Sequence, residues 1–569
     1  MRSASSRTAP ELARDAPEAP GPEGSVTAPC WLRLRQVGLA ASAALLAFLV
    51  GWSVHLYAVS GLSTDFGIYS QAFFEISHGH LDPLNTFLSV GATHYGAPFW
   101  RDHFELVMWP LSLLGAAFGS PMILLVLQDL CTAGAVAVAY LWGIDMLRER
   151  WRGSQRGAVW VAGLLLVSLL ANPWVYWAGL LNFHLQALAA LCALLAAREM
   201  WTRGRRRAWI WVLGVLLCGD VASTYVVGLG LSRLFGGKPA RHQAVGLVAL
   251  GVSWLVLVSA LHANIASSLP TAYGYLSGAA TLPAGAAGLV AIATGIVRHP
   301  SVPARMIGEH LSGLYRLLAG PGLIGIASPE TAGVVLVVLG ANALSSGAFL
   351  VPMIAFQSFP AELFISAGGV LVLCGLWRRS RRARIAAVVL AALSLSQILA
   401  MAGLWTPTFF QMLSGMNVGT SHEIAVVRGE VPPGSEVVVT SAISGRFADR
   451  RWVYPFLGLR TIGPSPLLHL DLQEPVSASR VVFVIDKSAP AGIGSAPPGV
   501  VAFALRYLRQ HLHARSIANR DGIVALEWRP PKGVHSIRFP VPLGVLFPHA
   551  RAQVPHGGRQ PAPAASVGR

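Results

Sequence analysis

Apolar segments long enough to cross a bilayer recur along the chain from Val37 to Trp405, separated by short polar segments. An α-helix needs about 20 apolar residues to cross roughly 30 Å of hydrocarbon. The pattern therefore predicts a mainly α fold, a polytopic transmembrane helical bundle of about ten to twelve spans. The first span is expected at residues 37–59, and the number of spans is left open between residues 208 and 345.

One apolar segment, residues 208–235, is anomalous because it has basic residues at both ends and the polar sequence CGDVAST in its middle. Irregular backbone is not tolerated in contact with lipid, so two structures remain open, a broken pair of short helices or a re-entrant hairpin. Asp220 lies at this break. Ionisable residues inside membranes are costly and often functional, but an aspartate that caps the second short helix explains the residue equally well.

The pattern changes after Trp405, where prolines, charges and β-branched runs replace the long apolar segments. Residues 435–442 and 480–486 are typical of buried strands, 502–512 of an amphipathic helix, and the segment around Asn519 to Gly522 of a hairpin. The sequence thus predicts four parts: a disordered leader (1–31), a transmembrane domain (32–405) with its first loop at 60–104, a small C-terminal α/β domain (406–530), and an extended, largely disordered tail (531–569).

Basic residues gather in the short segments between apolar runs, which gives them a topological meaning. The chain carries 43 Lys and Arg against 26 Asp and Glu, and the clusters lie at 148–156, 203–207, 238–242 and 378–384. Cytoplasmic loops of membrane proteins are enriched in Lys and Arg. We therefore expect a multi-pass plasma-membrane protein with a cytoplasmic N-terminus, whose first loop and C-terminal domain are extracytoplasmic. The expected partner of these basic residues is the lipid bilayer, and no nucleic acid is expected to bind.

The first loop follows the first span directly and contains the sequence STDFGIYSQAFFEISHGH. Its aromatic rings predict an amphipathic helix that lies at the membrane interface. Asp65 is at the start of this helix. A carboxylate there can act as a general base toward a hydroxyl acceptor, or hold a metal that binds a lipid-linked phosphate. The structural alternative is a helix N-cap.

Chemically active side chains gather near the end of the same loop, just before an apolar helix: His94, Arg101, Asp102, His103 and Glu105. A guanidinium beside acids and imidazoles can bind a phosphate and move protons. The alternative is an interfacial belt, in which Trp100 and Trp109 anchor the loop at headgroup depth.

A later turn adds two further candidates on the same predicted side of the membrane. Asn182 and His184 belong to the sequence NFHLQ, between two apolar segments. A capping role explains the asparagine, whereas a histidine at membrane depth is more unusual. Glu362 follows Pro360, and that position is typical of an acid in the first turn of a helix.

Taken together, these segments resemble a bacterial membrane-protein family of unknown function, DUF2079. The resemblance covers most of residues 37–530 and is carried by DFGIYSQAFFEISHGH, LLVLQDL, NFHLQALAAL, the Gly-Asp pair in 208–235, ANALSS and VPPGSEVVVTSAISGRFADRRWVYPF. The family is similar in outline to the GT-C glycosyltransferases, such as protein mannosyltransferases and the lipid A aminoarabinose transferase. Those enzymes use polyprenyl-phosphate sugars and an acidic residue in the first extracytoplasmic loop.

By this resemblance, Asp65 falls where the catalytic carboxylate belongs. Residues 94–105 fall where the donor phosphate or a divalent metal ion, Mg²⁺ or Mn²⁺, is held. The chain departs from the family at residues 218–220, where it has Cys-Gly-Asp and the family usually shows a Lys-Glu-Asp-like stretch. The implied fold is a GT-C-like bundle with the small α/β domain at its C-terminal end.

The resemblance implies inverting transfer of a sugar from a polyprenyl-phosphate donor to a cell-envelope acceptor. Asp65 would be the general base, and Asp102 and His103 would organise the acceptor, donor phosphate or metal. The substrate-binding residues would be His94, Arg101, Glu105, Asn182, His184 and Asp220. The alternative is a non-catalytic membrane protein, either a transport component or an envelope scaffold. The sugar, the acceptor, the metal and the oligomeric state are left open by the sequence.

Overall fold

The computed structural model of the chain is mainly α-helical. It describes residues 26–59, 62, 64–90, 94–101, 103–180, 183–203, 206–234, 238–261, 272–278, 283, 286–346, 357–414, 418–456, 469–487, 498–520 and 522–542. The described helices are Ala28–Val59 (α1), Thr64–Ser77 (α2), Met108–Phe118 (α3), Met122–Arg150 (α4), Gln155–Leu170 (α5), Pro173–Leu180 (α6), Gln186–Arg198 (α7), Ala208–Leu217 (α8), Ser223–Arg233 (α9), Lys238–Leu261 (α10), Ala286–Arg298 (α11), Ser301–Glu309 (α12), Leu311–Ala319 (α13), Pro329–Leu344 (α14), Phe359–Trp377 (α15), Arg381–Ser414 (α16), Val418–Glu430 (α17) and Pro498–Gln510 (α18).

Several of these helices are long and apolar enough to cross a membrane. Among the described residues, α1, α4, α10, α15 and α16 meet that condition singly, and α5 with α6 forms a sixth candidate bent by 41°. The shorter apolar helices are α8, α11 and α14. The predicted fold class, a membrane helical bundle with a small α/β domain, is confirmed, while the total of about ten to twelve spans stays a prediction.

The anomalous segment 208–235 forms the pair α8 and α9, with a break at residues 218–222. The Arg233 guanidinium at the end of α9 lies over the Trp201 ring, 4.6 Å from its centroid. Trp201 precedes α8 by a few residues, so both ends of the pair lie at the same end of the bundle. Of the two structures that the sequence left open, the pair is therefore a helical hairpin, and Asp220 lies at its tip.

At the end of the bundle where α1 begins, one acid ties three helices together. Asp145 of α4 accepts a hydrogen bond from Arg35 of α1 and another from Nε of Arg198 of α7, the latter at 2.9 Å. Arg150 at the end of α4 pairs with Glu330 of α14 at 2.6 Å. Paired charges of this kind fix the register of helices that apolar packing alone would leave free to slide.

The C-terminal region forms a five-stranded sheet of order β4-β3-β6-β8-β7. The described strands of the chain are Leu84–Val90 (β1), His94–Pro98 (β2), Glu436–Val439 (β3), Val453–Pro455 (β4), His469–Pro475 (β5), Val481–Asp486 (β6), Arg515–Arg520 (β7), Ile523–Trp528 (β8) and Ser536–Pro542 (β9). β3 pairs in parallel with β4 and β6, and the predicted hairpin is the antiparallel pair β7–β8.

Both faces of this sheet are covered, which explains its unbroken apolar strands. Val437 and Val439 of β3 join the hydrophobic core that continues into the helical bundle. Val438, between them, joins a second core that includes Leu508 of α18. β9 pairs with β5 in register over 536–542. The ordered domain therefore extends past residue 530, the boundary that the sequence predicts.

The sheet domain is docked onto the first loop and the end of α1. The Gly445 amide donates to the Leu62 carbonyl at 2.8 Å, and the Gln71 side chain donates to the Arg451 carbonyl at 2.6 Å. Arg446 donates to the carbonyls of Tyr57 and Ala58 at the end of α1. Ten of the fourteen residues of α2 are buried. The sheet domain covers part of the helix, with Phe66 beside Gly445, while Phe73 lies beside Gly115 of α3. The predicted helix is present, and its place at the membrane interface stays a prediction.

Candidate functional site

The first loop, the turn before α7 and the tip of the α8–α9 hairpin meet at one place in the structure. We call the side chains of Tyr69, His103, Glu105 and His184 the Glu105 cluster. Tyr69 comes from α2, His103 and Glu105 from the segment just before α3, and His184 from the turn that precedes α7. Residues far apart in sequence thus converge where the first loop meets the bundle.

Glu105 is the centre of the cluster and is buried. Its Oε1 accepts a hydrogen bond from the Tyr69 hydroxyl at 3.0 Å, and His103 Nδ1 lies 3.9 Å from the same oxygen. The His103 side chain is 27% exposed and the Glu105 side chain 6%. The histidine is therefore part exposed, and its Nδ1 lies close to a buried carboxylate.

Tyr69 packs its ring among the aromatic residues of the cluster. Ring centroids lie 5.0 Å away at Phe183, 5.4 Å away at His103 and 6.4 Å away at His184. Phe99 stacks on His103 at 5.4 Å and lies 6.0 Å from Tyr69. This packing fixes both side chains in single orientations, as a preorganised site requires.

His184 is buried against Tyr69 and α4. Its backbone amide donates to Oε1 of Gln128, whose Nε2 in turn donates to the Gly179 carbonyl at 3.3 Å. Burial lowers the pKa of the His184 imidazole to about 3, and the nearby His103 adds to the effect. His184 is therefore neutral at physiological pH.

The hairpin tip touches the cluster through Gly219. This glycine has a φ of +124°, which side-chain-bearing residues rarely adopt, and a Cβ placed on it would lie 3.1 Å from Glu105 Cγ. The Leu217 carbonyl accepts a 3.0 Å hydrogen bond from the Val107 amide. The half-buried Asp220 follows directly. The departure from the Lys-Glu-Asp-like stretch thus leaves, at Gly219, the space into which Glu105 packs.

Asp65 lies in the first turn of α2 and is exposed. It precedes Tyr69 by four residues, so the two side chains lie on the same face of the helix, one turn apart. Asp65, the predicted base, therefore lies on the same face of α2 as Tyr69, whose hydroxyl donates to Glu105. A carboxylate in the first turn also interacts favourably with the helix dipole, so position alone does not separate a chemical role from a structural one.

The other predicted site residues fall on less fully described parts of the chain. His94 lies in β2 and Arg101 in a short 3₁₀ turn after it, and only their backbone positions are described. Asp102 and Asn182 lie outside the described residues. Their roles stay predictions. Within the described part of the chain, no group of three or more His, Cys, Asp or Glu side chains is arranged to hold a metal ion, so no step is assigned to one.

Sequence reasoning missed Tyr69, Gln128 and Gly219 as parts of the site. Tyr69 was one aromatic residue among several in the first loop, and the signal that marks it is its spacing of four from Asp65. Gln128 is a polar residue within an otherwise apolar span, a position that is costly without a partner. Gly219 was noted only as a departure from the family pattern.

The long apolar helices and the polar cluster at one end of them define a multi-pass membrane protein. Residues 61–301 match the model of the family described as predicted membrane protein (DUF2079). The resemblance that the sequence analysis gives is thereby confirmed over those residues, which include the first loop, the turn before α7 and the α8–α9 hairpin. No curated protein matches the chain.

Solved structures of ArnT from Cupriavidus metallidurans are similar in outline. The structure bound to undecaprenyl phosphate is 15% identical, with a TM-score of 0.41, and the match covers 88% of this chain and 98% of that one. The apo structure is 14% identical, with a TM-score of 0.38, and the match covers 86% and 98%. At these scores the likeness concerns the outline of the chain and says nothing about the site.

Proposed function

We propose that the protein is a membrane glycosyltransferase that moves a sugar from a polyprenyl-phosphate donor to a cell-envelope acceptor on the extracytoplasmic face. The observation that carries the proposal is the convergence of His103, Glu105 and His184 on Tyr69, one helical turn from Asp65. Active sites bring titratable groups from separate segments to one point. The donor class comes from the family resemblance.

Asp65 is the general base of the proposed reaction. Its carboxylate removes the proton from the acceptor hydroxyl as the oxygen attacks C1 of the sugar from the face opposite the phosphate. The C1–phosphate bond breaks, the configuration at C1 inverts, and the polyprenyl phosphate leaves as an anion. A carboxylate can accept this proton from its place in the exposed first turn of α2.

His103 and Glu105 form the binding side of the proposed site. His103 Nδ1 lies 3.9 Å from the Glu105 carboxylate, and the histidine side chain is part exposed. In the proposed complex the imidazole donates a hydrogen bond to the donor phosphate, and the Arg101 guanidinium supplies positive charge. Glu105 acts through His103 and Tyr69 and is a positioning residue. Asp102, His94, Asn182 and Asp220 complete the proposed substrate contacts.

Binding of polyprenyl phosphate without its sugar tests the phosphate contact of His103 separately from the role of Asp65 as the base. Polyprenyl phosphate is titrated against the purified protein in nanodiscs, and binding is followed by the shift in thermal unfolding. His103→Asn is expected to weaken binding about tenfold, which corresponds to the loss of one charged hydrogen bond. Asp65→Asn is expected to bind normally, and His80→Asn, an exposed histidine of the same loop, is the matched control. Equal affinity in wild type and His103→Asn would contradict the assigned phosphate contact.

A transport component is the second candidate, favoured by polar groups deep in the bundle. Glu362 of α15 is fully buried, and its Oε2 accepts a 3.3 Å hydrogen bond from Asn172 at the bend between α5 and α6. Among the described residues, Glu362 Oε1 has no hydrogen-bond partner. Transporters bind substrates at interrupted helices of this kind. Two results together would favour transport. The wild type would transfer no sugar, and it would take up a solute into proteoliposomes that the Glu362→Gln variant no longer takes up.

A further inference from the structure

A lipid-facing groove runs between α5, α15 and α16, on a part of the bundle that the Glu105 cluster does not use. Its main cavity has a volume of about 370 Å³ and apolar walls. The lining residues include Trp151, Trp160, Leu164, Leu373, Trp377 and Ala391. Two further cavities continue along the same helices, one beside Ser168 and Ser394 and one beside Trp177 and Trp405.

The main cavity extends along α16. Its lining on that helix runs from Ala387 to Leu395, eight positions or roughly 12 Å at 1.5 Å per residue. The main cavity and the cavity beside Ser168 share Val161, Leu164 and Leu373 in their walls, so the two are neighbours. An apolar groove of this length holds part of an acyl chain laid parallel to the helix.

Arginines surround one end of the groove. The Trp151 and Trp377 rings stack at 4.9 Å and close this end. The Arg384 Nε donates to the Trp377 carbonyl at 3.1 Å, and Arg152 donates to the Trp151 carbonyl at 3.5 Å. Residues 378–384 contain five arginines and no acid. The charge beside the stacked rings is therefore strongly positive, with the exposed Glu149 at the end of α4 as a nearby acid.

The arginines and the apolar wall share helical faces. Arg381 and Arg384 precede Val388 and Ala391 of the lining by seven residues each, which places them on one stripe of α16. Arg156 precedes Trp160 by four residues on α5. A bound molecule whose chain fills the groove would thus have its polar end within reach of several guanidinium groups.

We propose that this groove binds an anionic glycerophospholipid, with an acyl chain in the groove and the phosphate among the arginines at its end. Basic pockets between membrane helices recognise anionic headgroups in this way, at about 1 kcal/mol for each Lys or Arg near the surface. A second copy of the chain is the poorer occupant, because a symmetric contact at this face would bring two clusters of arginine together.

The test uses nanodiscs that contain equal amounts of phosphatidylglycerol and phosphatidylcholine, with bound lipids counted by native mass spectrometry. The wild type is expected to retain phosphatidylglycerol preferentially. Arg381→Gln/Arg384→Gln is expected to lower that preference about fivefold for each arginine, the equivalent of about 1 kcal/mol. Arg206→Gln/Arg207→Gln removes the same charge from another exposed pair of the chain and should leave the preference unchanged.

A second variant tests the groove itself. Ala391→Trp fills the cavity and is expected to reduce lipid retention while the arginines stay in place. Equal loss of preference in both arginine pairs would show diffuse charge attraction and overturn the proposal. Lipid retention that is unaffected by Ala391→Trp in a folded, monodisperse protein would also overturn it. So would a dimer that dissociates only when Arg381 and Arg384 are substituted, because the groove would then be a contact between two copies of the chain.

Discussion

The Tyr69 hydroxyl donates a 3.0 Å hydrogen bond to Oε1 of the buried Glu105, and this bond joins the first helix of the loop to the segment before α3. It connects the helix that carries Asp65 with the residues proposed to hold the donor phosphate. A hydrogen bond to a buried carboxylate is among the stronger ones in proteins, so this contact is the structural centre of the site.

Tyr69→Phe should destabilise the protein by about 1–3 kcal/mol, because the variant leaves the buried Glu105 without this donor. Thermal unfolding in detergent measures the effect. Tyr507→Phe is the control, since the structure shows no hydrogen bond from the Tyr507 hydroxyl within the described residues. If both variants unfold at the wild-type temperature, the Tyr69–Glu105 bond does not hold the loop.

Gly219→Ala should destabilise the hairpin tip and disturb Glu105. The backbone at Gly219 is in a conformation that costs about 1–3 kcal/mol for a residue with a Cβ, and the new atom would lie 3.1 Å from Glu105 Cγ. Gly163→Ala in α5 is the matched control, because a Cβ there meets nothing within 4 Å and alanine favours helix. The expected result is loss of stability in the first variant only, and an equal effect in both would refute this packing.

Glu75→Gln should change the pH dependence of stability. Glu75 lies on α2, and its Oε2 accepts from the Leu84 amide at 3.3 Å. Burial raises the pKa of this carboxyl from 4.5 to about 7, partly offset by the Leu84 hydrogen bond and Arg451. Between those values the folded state holds a proton that the unfolded state has lost, so stability falls as the pH rises, by at most about 1.4 kcal/mol per pH unit.

The measurement for Glu75 is a series of unfolding midpoints from pH 4.5 to 8. The difference between the variant and the wild type should grow in favour of the variant across that window, because glutamine needs no proton. Using the difference removes the contribution of Glu436, whose pKa burial also raises to about 7. Parallel profiles for the two proteins would rule out Glu75 as the titrating group.

Arg446→Ala should loosen the docking of the sheet domain. The Arg446 guanidinium donates to the Ala58 carbonyl at 3.2 Å and lies 4.8 Å from the centroid of the Tyr57 ring. Its removal leaves carbonyls at the end of α1 without their donor. Hydrogen exchange in α2, which the sheet domain covers, is expected to rise at least several-fold in the variant. Arg515→Ala, an exposed arginine of the same domain, should leave exchange in α2 unchanged.

Local patterns were enough to predict much of the fold. The apolar runs predicted a bundle of membrane-spanning helices that begins with α1, because a span is defined by its own composition. Alternation and turn residues predicted the β7–β8 hairpin, since its two strands are neighbours in sequence. The break at residues 218–222 followed from the polar sequence inside an apolar run.

Long-range docking could not be predicted in this way. The pairing of Gly445 with Leu62 and of Gln71 with Arg451 joins segments nearly 400 residues apart, and no local pattern encodes it. For the same reason the aromatic residues of α2 were assigned to the membrane interface. Phe66 instead lies beside Gly445 of the sheet domain, Phe73 beside Gly115 of α3, and Tyr69 among the aromatic rings of the site. In the site, Glu105 and His184 were predicted as ligand-binding residues, but Tyr69, which lies between them, is marked locally only by its spacing of four residues from Asp65.

The most direct test of the proposed function is sugar transfer by the purified protein in nanodiscs, with radiolabelled polyprenyl-phosphate sugars and an envelope extract as acceptor. Asp65→Asn keeps the size of the side chain and removes its basicity, while Asp82→Asn alters an exposed acid of the same loop. We predict transfer by wild type and Asp82→Asn, and a loss of at least about 100-fold in Asp65→Asn, the usual effect of removing a general base. Equal turnover in Asp65→Asn would contradict the assignment of Asp65 as the base, and the absence of transfer from any donor by the wild type would contradict the proposed reaction.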